Sequence, residues 1–151
     1  VRNGVTKGDV VMSPGGPHMI EMAARLSGGD FCESLVPLGS GVNYVKTVIE
    51  IATGQKPDIT ALEPKFNRAV ANRYFFPAAG RLHSVEGVEE VLDWDWVHKL
   101  EFWYDVGDKV PASLSHAHRF GVFVVSAVNR DELEHRVNQV YETIHIITEP
   151  F

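Results

Sequence analysis

The sequence predicts an α+β fold, in which a β-hairpin and a helix are followed by a small antiparallel sheet closed by a C-terminal helix. Turn-forming residues between two short apolar runs near the start indicate the hairpin, and aromatic and β-branched segments after residue 72 indicate the sheet. Two other segments carry apolar residues at helical spacing. The 151 residues suffice for one domain or two small lobes.

The first region, predicted to span residues 1–60, contains the hairpin and one helix. Residues 4–12 and 18–22 are extended candidates on either side of the turn sequence Ser-Pro-Gly-Gly-Pro. Residues 26–42 are rich in Gly and Ser and are predicted to form a loop. Residues 43–53 are predicted to form a helix, and Gly54 stands where a left-handed residue commonly ends one.

The second region, predicted to span residues 61–151, is rich in β-structure. Strands are predicted at residues 73–77, 99–106 and 120–128, with a short helical turn at 88–92 and a closing helix at 131–145. Asn129 and Glu132 occupy the positions of a capping box before that last helix. The polar segment 55–70 is the expected boundary between the two regions.

The composition narrows the class of protein. A net charge of −6 argues against general affinity for nucleic acid or for an anionic membrane surface. No apolar run approaches the roughly 20 residues of a membrane-spanning helix. The single cysteine, Cys32, excludes an intrachain disulfide, which is consistent with a cytoplasmic location. Because the chain opens without an initiator Met, we expect it to be a piece of a longer polypeptide.

Three charged residues near the hairpin form a candidate chemical site. On a strand, Glu21, Ala23 and Arg25 would point to one face, with Met22 directed to the other face and into a core. Asp9 lies twelve residues before Glu21 on the other arm, so a hairpin brings the two carboxylates together. Facing carboxylates repel unless a cation bridges them, and Mg²⁺ prefers oxygen ligands. The rival interpretation is a surface ion pair with an unrelated Asp.

The string GVTKGDVVMSPGGPHMIEMAARLSGGDF resembles the last part of the nucleotide-binding domain of ATP-grasp ligases. The resemblance implies that Asp9 and Glu21 bind Mg²⁺ (or Mn²⁺), and that Arg25 contacts ATP phosphate or an acyl phosphate in catalysis. Ala23 stands where many members have a metal-binding Asn, which puts a second metal in doubt. The resemblance also places Gly28 and Gly29 beside the acceptor site, where backbone N–H groups could bind an anion.

Later segments extend the resemblance over residues 4 to 146. SGVNYVKTVIEIATGQKPDI resembles a family helix, and PAAGRLHSVEGVEEV and RFGVFVVSAVNRDELEHRVNQVYETI resemble the C-terminal lobe of the amino-acid-ligase-like and biotin carboxylase-like branches. In that lobe a Gly-x-Leu strand precedes an Arg-x-Gly strand and a closing helix. The resemblance makes residues 1–60 the end of the ATP-grasp domain and 61–151 its C-terminal β-rich lobe.

The resemblance implies an ATP-dependent carboxylate–amine (or carboxylate–thiol) ligase that acts through an acyl phosphate. ATP, a small carboxylate and an amine would then be the ligands, with a homodimer left open and no nucleic acid or membrane partner. The phosphate-covering glycine-rich loop and the adenine-binding residues of the family lie upstream of this segment, so we expect the chain alone to be inactive. A purine-pathway ligase such as a phosphoribosylamine–glycine ligase, or a non-catalytic interaction or dimerisation lobe, are the alternatives.

Other residues support weaker interpretations. Cys32 could be a nucleophile but is predicted to be a buried, unreactive thiol. His116 and His118 would share a face on a strand and could bind a metal, although solvated histidines are the simpler interpretation. The aromatic residues of segment 94–104 could stack on bases but are predicted to belong to a hydrophobic core or domain contact. Arg119 could reach a substrate carboxylate or cap a strand end.

Overall fold

The protein is described by a computed structural model that covers residues 3–151, in two compact units. The first unit extends to Asn67 and the second is Arg68–Phe151. Each unit combines antiparallel strands with helices, which confirms the predicted α+β class. The functional division at residue 60 stays a prediction. Within residues 3–151 no helix is both long enough and apolar enough to cross a membrane.

The first unit begins with the predicted hairpin. Strands β1 (Lys7–Ser13) and β2 (Gly16–Ala23) pair antiparallel. The Ser13 hydroxyl accepts a hydrogen bond from the Gly15 N–H at 3.1 Å, so the turn is stabilised by a side chain within it. The unit continues with a π-helical turn (Phe31–Leu35), α1 (Val36–Ser40), α2 (Tyr44–Ala52) and a 3₁₀ turn (Ile59–Leu62).

Two local predictions in this unit need correction. Residues 26–42 are not a simple loop, because 31–40 form helical turns around the buried Cys32. Helix α2 begins as expected, with the Asn43 side chain accepting the Lys46 N–H at 3.3 Å, and Gly54 has the expected left-handed φ of 79°. Its buried residue is Thr47, whereas Ile49, one of the apolar residues at helical spacing, is 58% exposed and Val48 is half-buried, so the apolar face is turned only partly inward.

The hairpin is exposed on both faces. Met22 was predicted to enter a core, yet it is 62% exposed, and Ile20 beside it is 67% exposed. That prediction was wrong because β1 and β2 form a two-stranded sheet to which no third strand is added within the described residues. A two-stranded sheet has too little apolar area to enclose such a side chain by itself.

The second unit contains two three-stranded antiparallel sheets. One has the order β3-β7-β5 and the other β6-β4-β8. The strands are β3 (Ala69–Phe75), β4 (Gly80–Glu86), β5 (Val97–Phe102), β6 (Lys109–Val110), β7 (Gly121–Ala127) and β8 (His145–Glu149). Helices α3 (Val88–Leu92) and α4 (Arg130–Thr143) complete the unit.

Most elements of this unit confirm the sequence-based prediction. The three predicted strands correspond to β3, β5 and β7, which share one sheet, and the Gly-x-Leu strand implied by the resemblance is β4. Asn129 caps α4 by accepting the Glu132 N–H at 2.9 Å, while the Glu132 carboxylate accepts the Val128 N–H at 3.0 Å. Helix α4 is not the last element, however, because β8 follows it and pairs with β4.

The core of the second unit is centred on β7. Every residue of this strand is buried, as is typical of a central strand covered on both faces. Helix α4 contributes Leu133, Val137 and Val140, and Phe75, Phe120 and Phe123 add aromatic contacts. Trp94, Trp96, Phe102 and Tyr104 pack against this core, whereas Trp103 is 50% exposed. The core interpretation of the aromatic segment is therefore confirmed for four of its residues.

Candidate functional site

The hairpin register places the two candidate metal ligands directly opposite each other. Asp9 pairs with Glu21, and Lys7 pairs with Ala23, so all four side chains lie on one face of the two strands. The register shifts between Asp9 and Val10, just beyond this pair. A β-bulge of this kind commonly changes the aim of nearby side chains. The expected approach of the two carboxylates is thus present in the backbone pairing.

A lysine already provides the positive charge that the two carboxylates require. The Lys7 ammonium donates to Asp9 Oδ2 at 2.5 Å and lies 3.7 Å from Glu21 Oε1. The Lys7 side chain is only 20% exposed, against 51% for Asp9 and 57% for Glu21. Sequence reasoning missed this residue, although its position two residues before Asp9 on a strand was the signal that could have found it.

Arg25 lies just past the end of β2 and lines a cavity beside Asp9. The strand ends at Ala23, so the predicted common face holds for Glu21 and Ala23, whereas Arg25 follows in a bend. Its Nη1 donates to the Leu26 carbonyl at 3.0 Å. A cavity of about 380 Å³ is lined by Lys7, Gly8, Asp9, Arg25, Ser27, Gly28 and Phe31. Three of the five predicted site residues, Asp9, Arg25 and Gly28, therefore line this cavity. A fourth, Glu21, lies opposite Asp9 on the neighbouring strand.

The loop after Arg25 has an unusual backbone. Gly29 and Asp30 have consecutive left-handed φ values of 66° and 65°. An anion-binding nest alternates right- and left-handed residues, whereas these two are both left-handed. A Cβ at Gly28 would meet no atom within 4 Å, so the space beside it is open. Gly28 lines the cavity and Gly29 does not, which separates the two predicted anion-binding glycines.

The carboxylates of Asp9 and Glu21 suit a hard divalent cation that takes only one or two of its ligands from the protein. Mg²⁺ is commonly bound through one or two carboxylates, with water and substrate phosphate as the remaining ligands. Asp9 and Glu21 supply those carboxylates, while Ala23 supplies no ligand. In residues 3–151 no group of three or more His, Cys, Asp or Glu side chains converges as a metal cage would. The site could hold a metal that carries its own ligands, provided that Lys7 moves aside.

The weaker candidates are placed elsewhere by the structure. His116 and His118 lie in a 3₁₀ turn, not on a strand, so they do not share a face as predicted. The His118 Nδ1 accepts the Leu114 N–H at 3.3 Å, and His116 contacts the Arg119 guanidinium. Arg119 also stacks over the Tyr74 ring at 3.7 Å. Cys32 is buried, as expected of a structural thiol.

A second polar cavity lies in the second unit and was not anticipated. It measures about 250 Å³ and is lined by Arg68, Asp95, Trp96, His98, Ser126, Ala127, Val128 and Arg136. His98 Nε2 and the buried Ser126 hydroxyl form a 2.7 Å hydrogen bond. Burial lowers the pKa of His98, the Arg68 guanidinium lowers it further, and Asp95 opposes both.

This lowered pKa predicts a pH-dependent stability. Above about pH 6.5 His98 is neutral in both the folded and the unfolded chain, so its full contribution to the free energy of unfolding is present. As the pH falls through that value the unfolded chain takes up the proton first, and stability is lost. The loss between pH 7.5 and pH 5 should therefore be smaller in His98→Gln than in the wild type, measured by urea unfolding. The control His145→Gln, at an exposed position, should lose as much unfolding free energy between pH 7.5 and pH 5 as the wild type. Equal losses in all three chains would contradict the prediction.

Comparison with known proteins finds similarity to one family profile and to several solved structures. The family profile described as "L-amino acid ligase C-terminal domain 2" matches residues 73–149. No curated protein sequence matches the chain. The structure is similar to L-amino acid ligase from Bacillus licheniformis, with a TM-score of 0.77 and 20% identity over 99% of this chain and 37% of that one.

Two solved structures of other ligases share the fold. Phosphoribosylglycinamide synthetase from Anaerococcus prevotii has a TM-score of 0.82 at 18% identity, covering 95% of this chain and 37% of that one. N5-carboxyaminoimidazole ribonucleotide synthetase from Thermotoga maritima has a TM-score of 0.62 at 14% identity, covering 97% and 38%. The chain thus spans less than two fifths of the length of these structures. It belongs to the L-amino acid ligase C-terminal domain 2 family, and its fold is that of the C-terminal portion of ATP-grasp ligases.

Proposed function

We propose that this chain is the C-terminal part of an ATP-dependent carboxylate–amine (or carboxylate–thiol) ligase. In the proposed reaction a substrate carboxylate oxygen attacks the γ-phosphorus of ATP, and ADP leaves. The amine then attacks the carbonyl carbon of the acyl phosphate, inorganic phosphate leaves, and the amine proton passes to solvent. The observation that carries the proposal is the register of Asp9 opposite Glu21, beside a cavity lined by Arg25.

Each candidate site residue of the first unit has a role in this proposal. Asp9 and Glu21 would hold Mg²⁺ or Mn²⁺, which supplies positive charge against the transferred phosphoryl group. Arg25, which lines the cavity, would bind a phosphate oxygen, because a guanidinium makes directed hydrogen bonds to such oxygens. Gly28 and Gly29 would present backbone N–H groups to an anionic part of ATP or substrate.

Two alternatives differ in their support. A purine-pathway ligase is favoured by the similarity to phosphoribosylglycinamide synthetase, while the family match favours an amino acid as substrate. A non-catalytic interaction or dimerisation lobe is favoured by the apolar side chains that the hairpin exposes, such as Met12 at 74% and Met22 at 62%. The substrate panel and the active-site variant below separate the three.

A carboxylate exchange in the complete gene product tests the proposal. Glu21→Gln should reduce ADP release, measured with ATP, Mg²⁺ and a panel of amino acids or phosphoribosylamine plus glycine, by at least about 100-fold, because a neutral amide is a poor metal ligand. Glu63→Gln removes another exposed carboxylate, one that does not pair with Asp9 in the hairpin, and should retain the wild-type rate. Equal rates in both variants would contradict the site, and no ADP release with any substrate would favour the interaction lobe.

A further inference from the structure

The side chain of Lys7 occupies the place that a metal bound by Asp9 and Glu21 would need. Its ammonium lies 2.5 Å from Asp9 Oδ2 and 3.7 Å from Glu21 Oε1, so it is within ion-pair distance of both carboxylates at once. A divalent cation bound to these oxygen atoms would lie within about 4 Å of the ammonium, and the two positive charges would repel each other. Lysine and metal are therefore alternative partners of the pair.

The position of Lys7 in the sheet explains how it reaches both carboxylates. Lys7 stands two residues before Asp9 and directly opposite Ala23, so its neighbours on that face are one carboxylate along the strand and one on the diagonal. The small side chain of Ala23 leaves room for the lysine stem. A longer ligand at position 23 would compete with Lys7 for this space.

Exposure separates Lys7 from an ordinary surface lysine. Its side chain is 20% exposed, whereas the Lys46 side chain, which pairs with Glu50 on α2 at 3.7 Å, is 75% exposed. Lys7 and Arg25 line the same cavity, so the Lys7 ammonium has space to move into when a metal binds the carboxylates. A lysine stem has four rotatable carbon–carbon bonds and permits such a movement.

We propose that Lys7 is a built-in counter-cation that keeps the Asp9–Glu21 pair together without metal and that a divalent metal must displace. This inference rests on the proposed function, since it takes Asp9 and Glu21 as the metal ligands. It makes Lys7 a positioning residue that weakens metal affinity and prevents the paired carboxylates from separating before ATP arrives with its metal. A plain surface ion pair would change metal affinity little.

Binding of Mn²⁺ alone to the 151-residue chain tests the inference, with free Mn²⁺ measured by electron paramagnetic resonance. Lys7→Met should bind Mn²⁺ at least about 5-fold more tightly than the wild type, because the removal of one unit charge about 4 Å away is worth about 1 kcal/mol in water. Lys7→Gln repeats the test with a neutral polar side chain. Lys7→Arg keeps the charge and should bind as weakly as the wild type.

Two controls locate the effect. Lys46→Met removes the same charge from the pair on α2 and should leave Mn²⁺ affinity unchanged. Adding Glu21→Gln to Lys7→Met should abolish the gain. If Lys7→Met and the wild type bind equally and both depend on Glu21, the lysine inference is wrong and the metal site stands. If Glu21→Gln changes no affinity in any chain, both the inference and the proposed metal site are overturned.

Discussion

Replacing Phe123 by Ala should lower the free energy of unfolding of the second unit by about 3–5 kcal/mol. Phe123 is fully buried at the centre of β7, and its ring lies 5.2 Å from that of Phe75 and 5.1 Å from that of Tyr141. Truncation removes apolar contact and leaves a cavity that a strand flanked on both sides cannot close. Urea unfolding followed by tryptophan fluorescence measures the loss, since Trp94, Trp96 and Trp103 all lie in this unit.

Phe76 provides the matched control for this experiment. It is the same residue type in the same unit, immediately after β3, and it is 60% exposed. Phe76→Ala should cost less than about 1 kcal/mol, because little apolar area is returned to water. Similar losses for the two variants would mean that β7 is not the centre of the core.

The elements that follow from local chemistry could be predicted from the sequence. The hairpin follows from its turn, where Ser13 accepts the Gly15 N–H, and α4 follows from Asn129, which accepts the Glu132 N–H. Strand β8 could not be found in this way. It begins at His145, only two residues after α4 ends at Thr143, so no turn residue separates the helical pattern from the strand. Its pairing with β4 is a long-range contact that local propensity does not encode.

The candidate site shows the same division. Because side chains alternate on strands, the sequence could predict that Asp9 and Glu21 face each other, and the backbone register has them opposite. The role of Lys7 depends on a side-chain conformation, and the exposure of Met22 depends on what covers the hairpin. Neither the Lys7 conformation nor the exposure of Met22 follows from the spacing of residues in the sequence, since the same alternation of side chains occurs on a covered and on an uncovered sheet.

The family assignment and the candidate site rest on different parts of the chain. The family profile matches residues 73–149, whereas Asp9, Glu21 and Arg25 all lie in the first unit. The second unit carries the β-rich fold and a cavity with the His98–Ser126 pair, but the carboxylates of the proposed reaction are outside it. The experiment on Glu21 therefore tests the chemistry independently of the family match.

Gly87→Ala should destabilise the second unit by about 2–5 kcal/mol, for two separable reasons. Gly87 has a φ of +82°, a left-handed conformation that costs a residue with a Cβ about 1–2 kcal/mol. A Cβ at this position would also lie 2.1 Å from the Thr143 carbonyl oxygen, at the end of α4. Since the obstacle is backbone, the clash can be relieved only by moving the helix end away from α3, at a further cost of about 1–3 kcal/mol.

Gly107 separates the two causes. Its φ of +96° is also left-handed, but a Cβ there would meet no atom within 4 Å. Gly107→Ala should therefore lose only the conformational part, about 1–2 kcal/mol, and the difference between the two variants in urea unfolding measures the contact of Gly87 with Thr143. Equal losses would show that the approach of α4 to residue 87 is not held tightly, and that the end of α4, directly before β8, can shift without disturbing the β4–β8 pairing.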